Sequence, residues 1–121
     1  MIDAYKGMPK TVRIGCYIFR IEIHEFEDAE ADGVFGHMNP ISQKIRIRPG
    51  MTAQNLANTF IHEVLHGINW LSQAGVHTGG SYSDTEEDFV TKGANGLCQF
   101  WQDNPKATAW WAKILKLEEV E

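Results

Sequence analysis

The stretch that decides how this chain folds and what it can do is Thr59-Phe60-Ile61-His62-Glu63-Val64-Leu65-His66-Gly67-Ile68. It contains the pattern H-E-x-x-H within a run of otherwise uncharged, mostly apolar residues. Residues four positions apart lie on the same face of an α-helix, one turn above the other. On a helix, His62 and His66 can therefore direct two imidazole rings at one metal ion, with Glu63 beside that ion.

This arrangement supplies the ligands and the base of a water-activating zinc site. Imidazoles bind Zn²⁺, and a neighbouring carboxylate can hold or deprotonate a water molecule. A catalytic zinc ion normally has three protein ligands and one position for water, so two histidines are an incomplete set. The third ligand must come from elsewhere in the chain, and the candidates are Glu86, Glu87, His77, Asp84 and His37.

The helical periodicity after residue 83 favours Glu86 as the third ligand, with Glu87 as the alternative. The apolar residues of this segment are Phe89, Val90, Ala94, Leu97, Phe100 and Trp101. On a projection at about 100° per residue, Glu86 falls near the centre of their arc, and Glu87 is displaced by about one step. A carboxylate on an apolar face is costly unless it is paired, and a metal ion would pair it. Because Ser83-x-x-Glu86 is also a capping-box pattern, a helix-capping role for Glu86 stays open.

Three further polar residues could act near the metal. Tyr82, His77 or His37 could donate a hydrogen bond to an oxyanion that develops during hydrolysis. For each of them a surface position or an ordinary hydrogen-bonding role is the alternative.

The residues before the H-E-x-x-H stretch predict a small antiparallel sheet of about three strands. Residues 11–26 are rich in β-branched and aromatic types and form either one long bent strand or two strands joined at Gly15. Residues 34–38 predict a short strand, and residues 43–48 alternate between apolar and charged side chains. A strand at the edge of this sheet, for which we favour residues 34–38, could pair with an extended substrate.

The rest of the chain predicts three helices. Thr52 can cap a helix that runs from residue 53 to about residue 73 and ends at Gly75. A second helix is expected from residue 84 to about residue 102, and Pro105 starts a third. The predicted fold class is therefore α+β, in which a small sheet is followed by the helix with the histidines and by two further helices. All 121 residues are expected to form a single domain.

Composition excludes several classes of function. The net charge of −5 and the lack of a basic stripe argue against nucleic-acid binding. No apolar run approaches the ~18 residues of a membrane helix, and the first residues do not form a signal peptide. Cys16 and Cys98 are too few for a disulfide framework and stand in apolar surroundings, which predicts two buried free thiols in a reducing compartment.

The motif residues also resemble a known family. Thr59 to Ile68 fits the extended zincin pattern, including the threonine at its first position and the uncharged residues that flank the ligands. The downstream segments Thr85-Glu86-Glu87-Asp88-Phe89-Val90, Ala94-Asn95-Gly96-Leu97 and Asp103-Asn104-Pro105 are similar to those of small phage and prophage metallopeptidase-like proteins related to the ImmA/IrrE-type gluzincins. The likeness spans roughly residues 10–105.

This resemblance implies a zincin-like core with Zn²⁺ held by His62, His66 and a glutamate on the following helix. It implies Glu63 as the general base, a protein or peptide as substrate, and the bacterial cytoplasm as the location. We therefore expect a zinc-dependent, metallopeptidase-like hydrolase. Two alternatives stay open: a non-enzymatic zinc-binding phage or prophage module, and a hydrolase that acts on a bond other than a peptide bond.

Overall fold

The computed structural model describes residues 3–25, 35–73 and 82–117, and in the last range the side chains from residue 86 onward. Its elements in chain order are the strands β1 (Thr11–Ile14), β2 (Tyr17–Ile23), β3 (Gly36–Asn39) and β4 (Lys44–Ile47) and the helices α1 (Ala53–Ser72), α2 (Tyr82–Asp103) and α3 (Pro105–Leu115). The predicted α+β class and the three predicted helices are confirmed.

The sheet differs from the prediction in strand number and in strand direction. It has four strands in the order β1-β2-β4-β3, not about three, and it is mixed, not antiparallel. β1 and β2 form an antiparallel hairpin at Gly15, whose φ of 62° is left-handed, so residues 11–26 contain two strands. β4 lies between β2 and β3, parallel to the first and antiparallel to the second. The alternation of side chains is the same in parallel and antiparallel strands, so sequence periodicity did not reveal the parallel pair.

The helices cover one face of the sheet, and the opposite face is charged. The inward side chains of the sheet, all at most 7% exposed, are Val12, Ile14, Phe19, Ile21, Ile45 and Ile47. The helices contribute Leu56, Phe60, Val64, Ile68, Phe100, Ala107, Trp110 and Ile114 to the same core. On the outward face, Glu22 lies 3.9 Å from Nζ of Lys44 and 3.7 Å from Nε of Arg46.

Helix α1 begins at the predicted cap and ends within one residue of the predicted end. Oγ1 of Thr52 accepts a hydrogen bond from the backbone N–H of Asn55 at 3.3 Å. The helix ends at Ser72, and Gln73 adopts the left-handed conformation at φ 54° and ψ 40°. The residue that terminates α1 is therefore Gln73; the predicted terminator, Gly75, lies outside the described residues.

Helix α2 begins before the predicted start. Because Tyr82 is already helical, Ser83 lies inside the helix and not at its N-cap. This position removes the capping-box role that was considered for Glu86. Helix α3 begins with Pro105 at its first position, as predicted.

Asn104, between α2 and α3, fastens the helices to the edge of the sheet. Its Oδ1 accepts a hydrogen bond from the backbone N–H of Arg13 at 2.7 Å, and its Nδ2 donates to the backbone oxygen of Arg13 at 2.7 Å. Nδ2 also donates to the backbone oxygen of Phe100 at 2.8 Å. The side-chain amide thus hydrogen-bonds to the backbone N–H and C=O of Arg13 on β1, as a neighbouring strand would. This role of Asn104 was not predicted from the sequence.

The first half of α2 is more exposed than predicted. The exposed members of its predicted apolar face are Phe89, Val90, Ala94 and Trp101, whereas Phe100 is buried. A Cβ built on Gly96 would overlap Cγ2 of Ile68, but one built on Gly93 would meet no atom within 4 Å. Helix α2 therefore touches α1 closely at Gly96 and diverges from it towards the beginning of α2.

Two leucines at the helical spacing of the buried faces, Leu71 and Leu115, are 40% and 43% exposed. Cys16 and Cys98 are free, as expected, but both are exposed, contrary to the prediction.

None of the described helices is long and apolar enough to cross a membrane.

Candidate metal centre

His62 and His66 lie one turn apart on the exposed side of α1, and their rings meet edge to face. Their Nε2 atoms are 3.1 Å apart, with ring centroids 4.8 Å apart and an interplanar angle of 74°. Two imidazole nitrogens that bind one tetrahedral Zn²⁺ at about 2.0–2.1 Å are about 3.3 Å from each other. The pair therefore has nearly the spacing that two ligands of one zinc ion need. The same distance also suits a hydrogen bond between two neutral rings, one donating and one accepting.

Glu63 is buried beside this pair, with 5% of its surface exposed. Burial raises the pKa of the Glu63 carboxyl above its ordinary value, and the charges of His62, His66 and His37 act in the opposite direction. The effect of burial is the larger one. A buried carboxyl with a raised pKa next to two imidazoles is the kind of side chain that takes up a proton during catalysis.

Strand β3 passes directly beside Glu63. Gly36 pairs with Ile47 of β4, and a Cβ built on Gly36 would lie 3.1 Å from Oε2 of Glu63. The same Cβ would lie 2.8 Å from Cγ2 of Thr59 and 3.2 Å from the backbone oxygen of Arg46. Helix α1 and strand β3 are therefore too close at this point for a side chain on Gly36. The role of Gly36 was not predicted, although a glycine inside a strand pattern is a sign that another segment approaches the strand closely.

The third ligand is the part of the predicted site that the structure does not bring together. Glu86 and Glu87 are both exposed, so the expectation of a buried Glu86 carboxylate on an apolar face is wrong. Among the described residues, no three histidines, cysteines or carboxylates form a group that could hold a metal ion. The physical reason is the divergence of α2 from α1, which carries the first turns of α2 away from the histidines.

The two glutamates nevertheless differ in the direction they face. Glu86 stands three residues before Phe89 and seven before Gly93, and both of these line the cavity beside the histidines. Residues with this spacing share one face of a helix. Oε1 of Glu87 instead accepts a hydrogen bond from Oγ1 of Thr91 at 3.5 Å. Glu86 is therefore on the face of α2 that the cavity adjoins, and Glu87 is not.

The structure describes the other candidate ligands and hydrogen-bond donors only in part. His37 is exposed on β3, near enough for its charge to lower the pKa of Glu63. His77 lies outside the described residues. Tyr82 and Asp84 are part of α2, but their side chains are not among those described. The roles suggested for these three residues stay predictions.

An open cavity of about 350 Å³ separates α1 from the first half of α2. It is lined by His62, Leu65, His66, Ile68, Asn69, Ser72, Phe89 and Gly93. Leu65 and Phe89, which are 39% and 47% exposed, form apolar walls next to the histidine pair. The cavity has the size and the lining of a small ligand site, and its polar lining residues are the two histidines, Asn69 and Ser72.

Comparisons with protein-family models, curated proteins and solved structures give no match for this chain. The resemblance to the ImmA/IrrE-type gluzincins is therefore carried by the motif residues alone. The structural basis for a functional proposal is the pair of imidazoles 3.1 Å apart, with the buried Glu63 and the apolar cavity beside it.

Proposed function

We propose that this protein is a zinc-dependent hydrolase of the metallopeptidase type that cleaves peptide bonds. The observation that supports this proposal most strongly is the 3.1 Å approach of the Nε2 atoms of His62 and His66 beside the buried Glu63. These two imidazoles would hold Zn²⁺, and Glu86 would be the third ligand. Zinc bound there would lower the pKa of a water molecule towards ~7 and polarise the carbonyl of the substrate.

Glu63 is the general base in this proposal. Its carboxylate accepts a proton from the attacking water, orients that water towards the carbonyl carbon, and then returns the proton to the leaving amine. The burial that raises the pKa of Glu63 suits the first step, because a more basic carboxylate accepts a proton more readily at neutral pH. The neighbouring β3 backbone and the core of α1 hold the side chain beside the histidines.

Glu86 is preferred over Glu87 because it adjoins the cavity. Both glutamates are exposed, so either could turn without leaving a buried position. Glu86 shares its helical face with Phe89 and Gly93, and nothing lies within 4 Å of a Cβ built on Gly93. The first half of α2 therefore has room to approach α1, which is what coordination by Glu86 requires.

The edge of the sheet suggests how a peptide would bind. β3 is an outer strand in the order β1-β2-β4-β3, whereas the edge of β1 is satisfied by Asn104 at Arg13. An extended peptide that added to β3 would pass Gly36 and so come next to Glu63. The cavity between Leu65 and Phe89 would receive one apolar side chain of that peptide.

The test is cleavage of a peptide library by the zinc-loaded protein, with the Glu63→Gln variant as the matched control. General-base catalysis contributes about 10²–10⁴-fold, so we expect cleavage by the variant to fall by that factor while it still binds one equivalent of zinc. Undiminished cleavage by Glu63→Gln would refute the role of Glu63. If the zinc-loaded natural sequence cleaves no peptide in the library, the peptidase function is refuted.

A non-enzymatic zinc-binding module, of the phage or prophage kind, is the second candidate function. One observation favours it: the described residues bring together two metal-binding side chains and not three. This candidate predicts bound zinc without cleavage in either the natural sequence or Glu63→Gln. A panel of non-peptide amides run in parallel separates it from a hydrolase that acts on a different bond.

A further inference from the structure

We propose that Gly36 is a positioning residue for Glu63. The absence of a side chain at this point of β3 lets the Glu63 carboxylate occupy its buried position beside the histidine pair. The catalytic part of this inference rests on the proposed function, in which Glu63 is the base. The structural part rests on the contacts around Gly36 alone.

Of the three atoms that would meet a Cβ on Gly36, only one belongs to a side chain that can move easily. Cγ2 of Thr59, 2.8 Å away, is on a β-branched residue whose rotamer is restricted in a helix and whose Oγ1 donates to Sδ of Met51 at 3.7 Å. The oxygen of Arg46, 3.2 Å away, is part of the paired backbone of β4. Oε2 of Glu63, 3.1 Å away, is at the end of a flexible side chain. A side chain on residue 36 would therefore displace the Glu63 carboxylate first.

The backbone conformation at residue 36 does not explain why this residue is a glycine. The described glycines with a left-handed φ are Gly7, Gly15 and Gly50, and Gly36 is not one of them. Alanine or valine could adopt the strand conformation of residue 36, and both are favoured over glycine within a strand. Glycine at this position thus works against strand stability, and the close approach of α1 is the feature that accounts for it.

A side chain at residue 36 should weaken catalysis and leave the metal ligands in place. His62 and His66 are on the exposed side of α1, and neither supplies one of the three atoms nearest to a Cβ on Gly36. A misplacement of about 1 Å of a reacting group can cost about 10²-fold in rate. Gly36→Ala requires a shift of a few tenths of an ångström from Glu63, and Gly36→Val requires more. The rate should therefore fall in the order Gly, Ala, Val at residue 36.

The structural part is tested by unfolding of the metal-free protein in urea. Gly36→Ala is introduced into the natural sequence and into Glu63→Ala, and the two shifts in the urea midpoint are compared. We expect the downward shift to be smaller in the Glu63→Ala background than in the natural sequence, because the contact with the carboxylate is gone while the contacts with Thr59 and Arg46 remain. Equal shifts in the two backgrounds would overturn the inference.

If the Gly36→Ala protein does not fold, the same test can be made in a protein that also carries Thr59→Ser. Thr59→Ser removes Cγ2, the closest atom to the new side chain, and keeps the hydroxyl that contacts Met51. The same comparison with and without Glu63→Ala is then made in Thr59→Ser. The expected and the contradicting outcomes are unchanged.

The catalytic part is tested on the zinc-loaded protein. Gly36→Ala in the Thr59→Ser background, compared with Thr59→Ser alone, should bind zinc with an affinity within threefold and show a kcat reduced at least tenfold. An unchanged kcat in a folded, zinc-loaded Gly36→Val protein would overturn the positioning role. If the natural sequence has no hydrolytic activity, the proposed function fails, and the urea comparison still decides whether Gly36 determines the position of Glu63.

Discussion

Zinc should stabilise the folded protein through His62 and His66, and replacing either histidine should remove this effect without changing the metal-free protein much. Both side chains are exposed, so His62→Ala removes little buried surface. The contact that is lost is the 3.1 Å approach of the two rings. For a surface substitution of this kind we expect the free energy of unfolding to change by at most about 0.5 kcal/mol.

The stabilisation by zinc can be estimated from binding linkage. At a free zinc concentration 100 times the dissociation constant, binding to the folded state adds about 2.7 kcal/mol to the free energy of unfolding. An unfolding entropy of about 2.1 cal/mol/K per residue gives about 0.25 kcal/mol/K for the 121 residues of this chain. The melting temperature of the natural sequence should therefore rise by about 10 °C.

The assay is thermal unfolding followed by circular dichroism, with a chelator in one set of samples and zinc in the other. His62→Ala and His66→Ala should unfold within about 2 °C of the natural sequence in chelator and should gain little from zinc. Magnesium, which prefers oxygen ligands, serves as the control cation. An equal rise of about 10 °C in both variants would refute the assignment of the histidines as ligands.

Three further predictions follow from the site and its supports. Glu86→Gln should weaken zinc binding at least about tenfold, and Glu87→Gln should leave it unchanged; isothermal titration calorimetry measures both, and the reverse order would contradict the choice of ligand. Burial raises the pKa of Glu63, so its carboxyl group binds a proton more tightly in the folded metal-free protein than in the unfolded chain. The contribution of Glu63 to the free energy of unfolding should therefore fall as the pH rises from about 4.3 towards neutrality. Glu63→Gln does not titrate and should therefore gain stability relative to the natural sequence over that range; urea unfolding at several pH values checks this, and a difference that does not depend on pH would be evidence against the burial argument. Asn104→Ala removes three hydrogen bonds, two of them to the backbone of Arg13, and should lower the free energy of unfolding by about 3 kcal/mol at about 1 kcal/mol each. A loss below about 1 kcal/mol in thermal unfolding would show that the freed backbone groups find other partners.

The local features of the site were predictable because they depend on the geometry of one helix. The spacing of His62 and His66, the buried face that begins at Leu56, and the cap at Thr52 all follow from residues close together in sequence. Glu63 was predicted to lie beside the histidines for the same reason. In each case the helical repeat fixes the relative positions, and the rest of the fold changes them little.

The relation between α1 and α2 could not be predicted in the same way. A helical projection assigns an apolar face to α2 but contains no information about the angle at which α2 crosses α1. The close contact of Gly96 with Ile68 holds the two helices together at one point, and they separate from there towards Glu86. The exposure of Glu86 is therefore a tertiary effect, and so is the parallel pairing of β2 with β4.

Gly36 and Asn104 are the two residues whose roles required the structure. In the sequence, Gly36 lies within a predicted strand, and Asn104 precedes the proline that starts the third predicted helix. Their actual contacts join segments that are distant in sequence: Gly36 lies against α1, and Asn104 bonds to β1. For Gly36 a clue existed, because glycine is disfavoured inside strands.

The amide of Asn104 also affects how copies of this protein can associate. Within the described part of the chain, a second molecule that extends the sheet by strand pairing has β3 as its open partner, because Asn104 already occupies the edge at Arg13. Such a neighbour would occupy the place beside Gly36 and compete with any peptide for it. At high protein concentration, strand pairing at β3 should therefore reduce the access of a peptide to this edge.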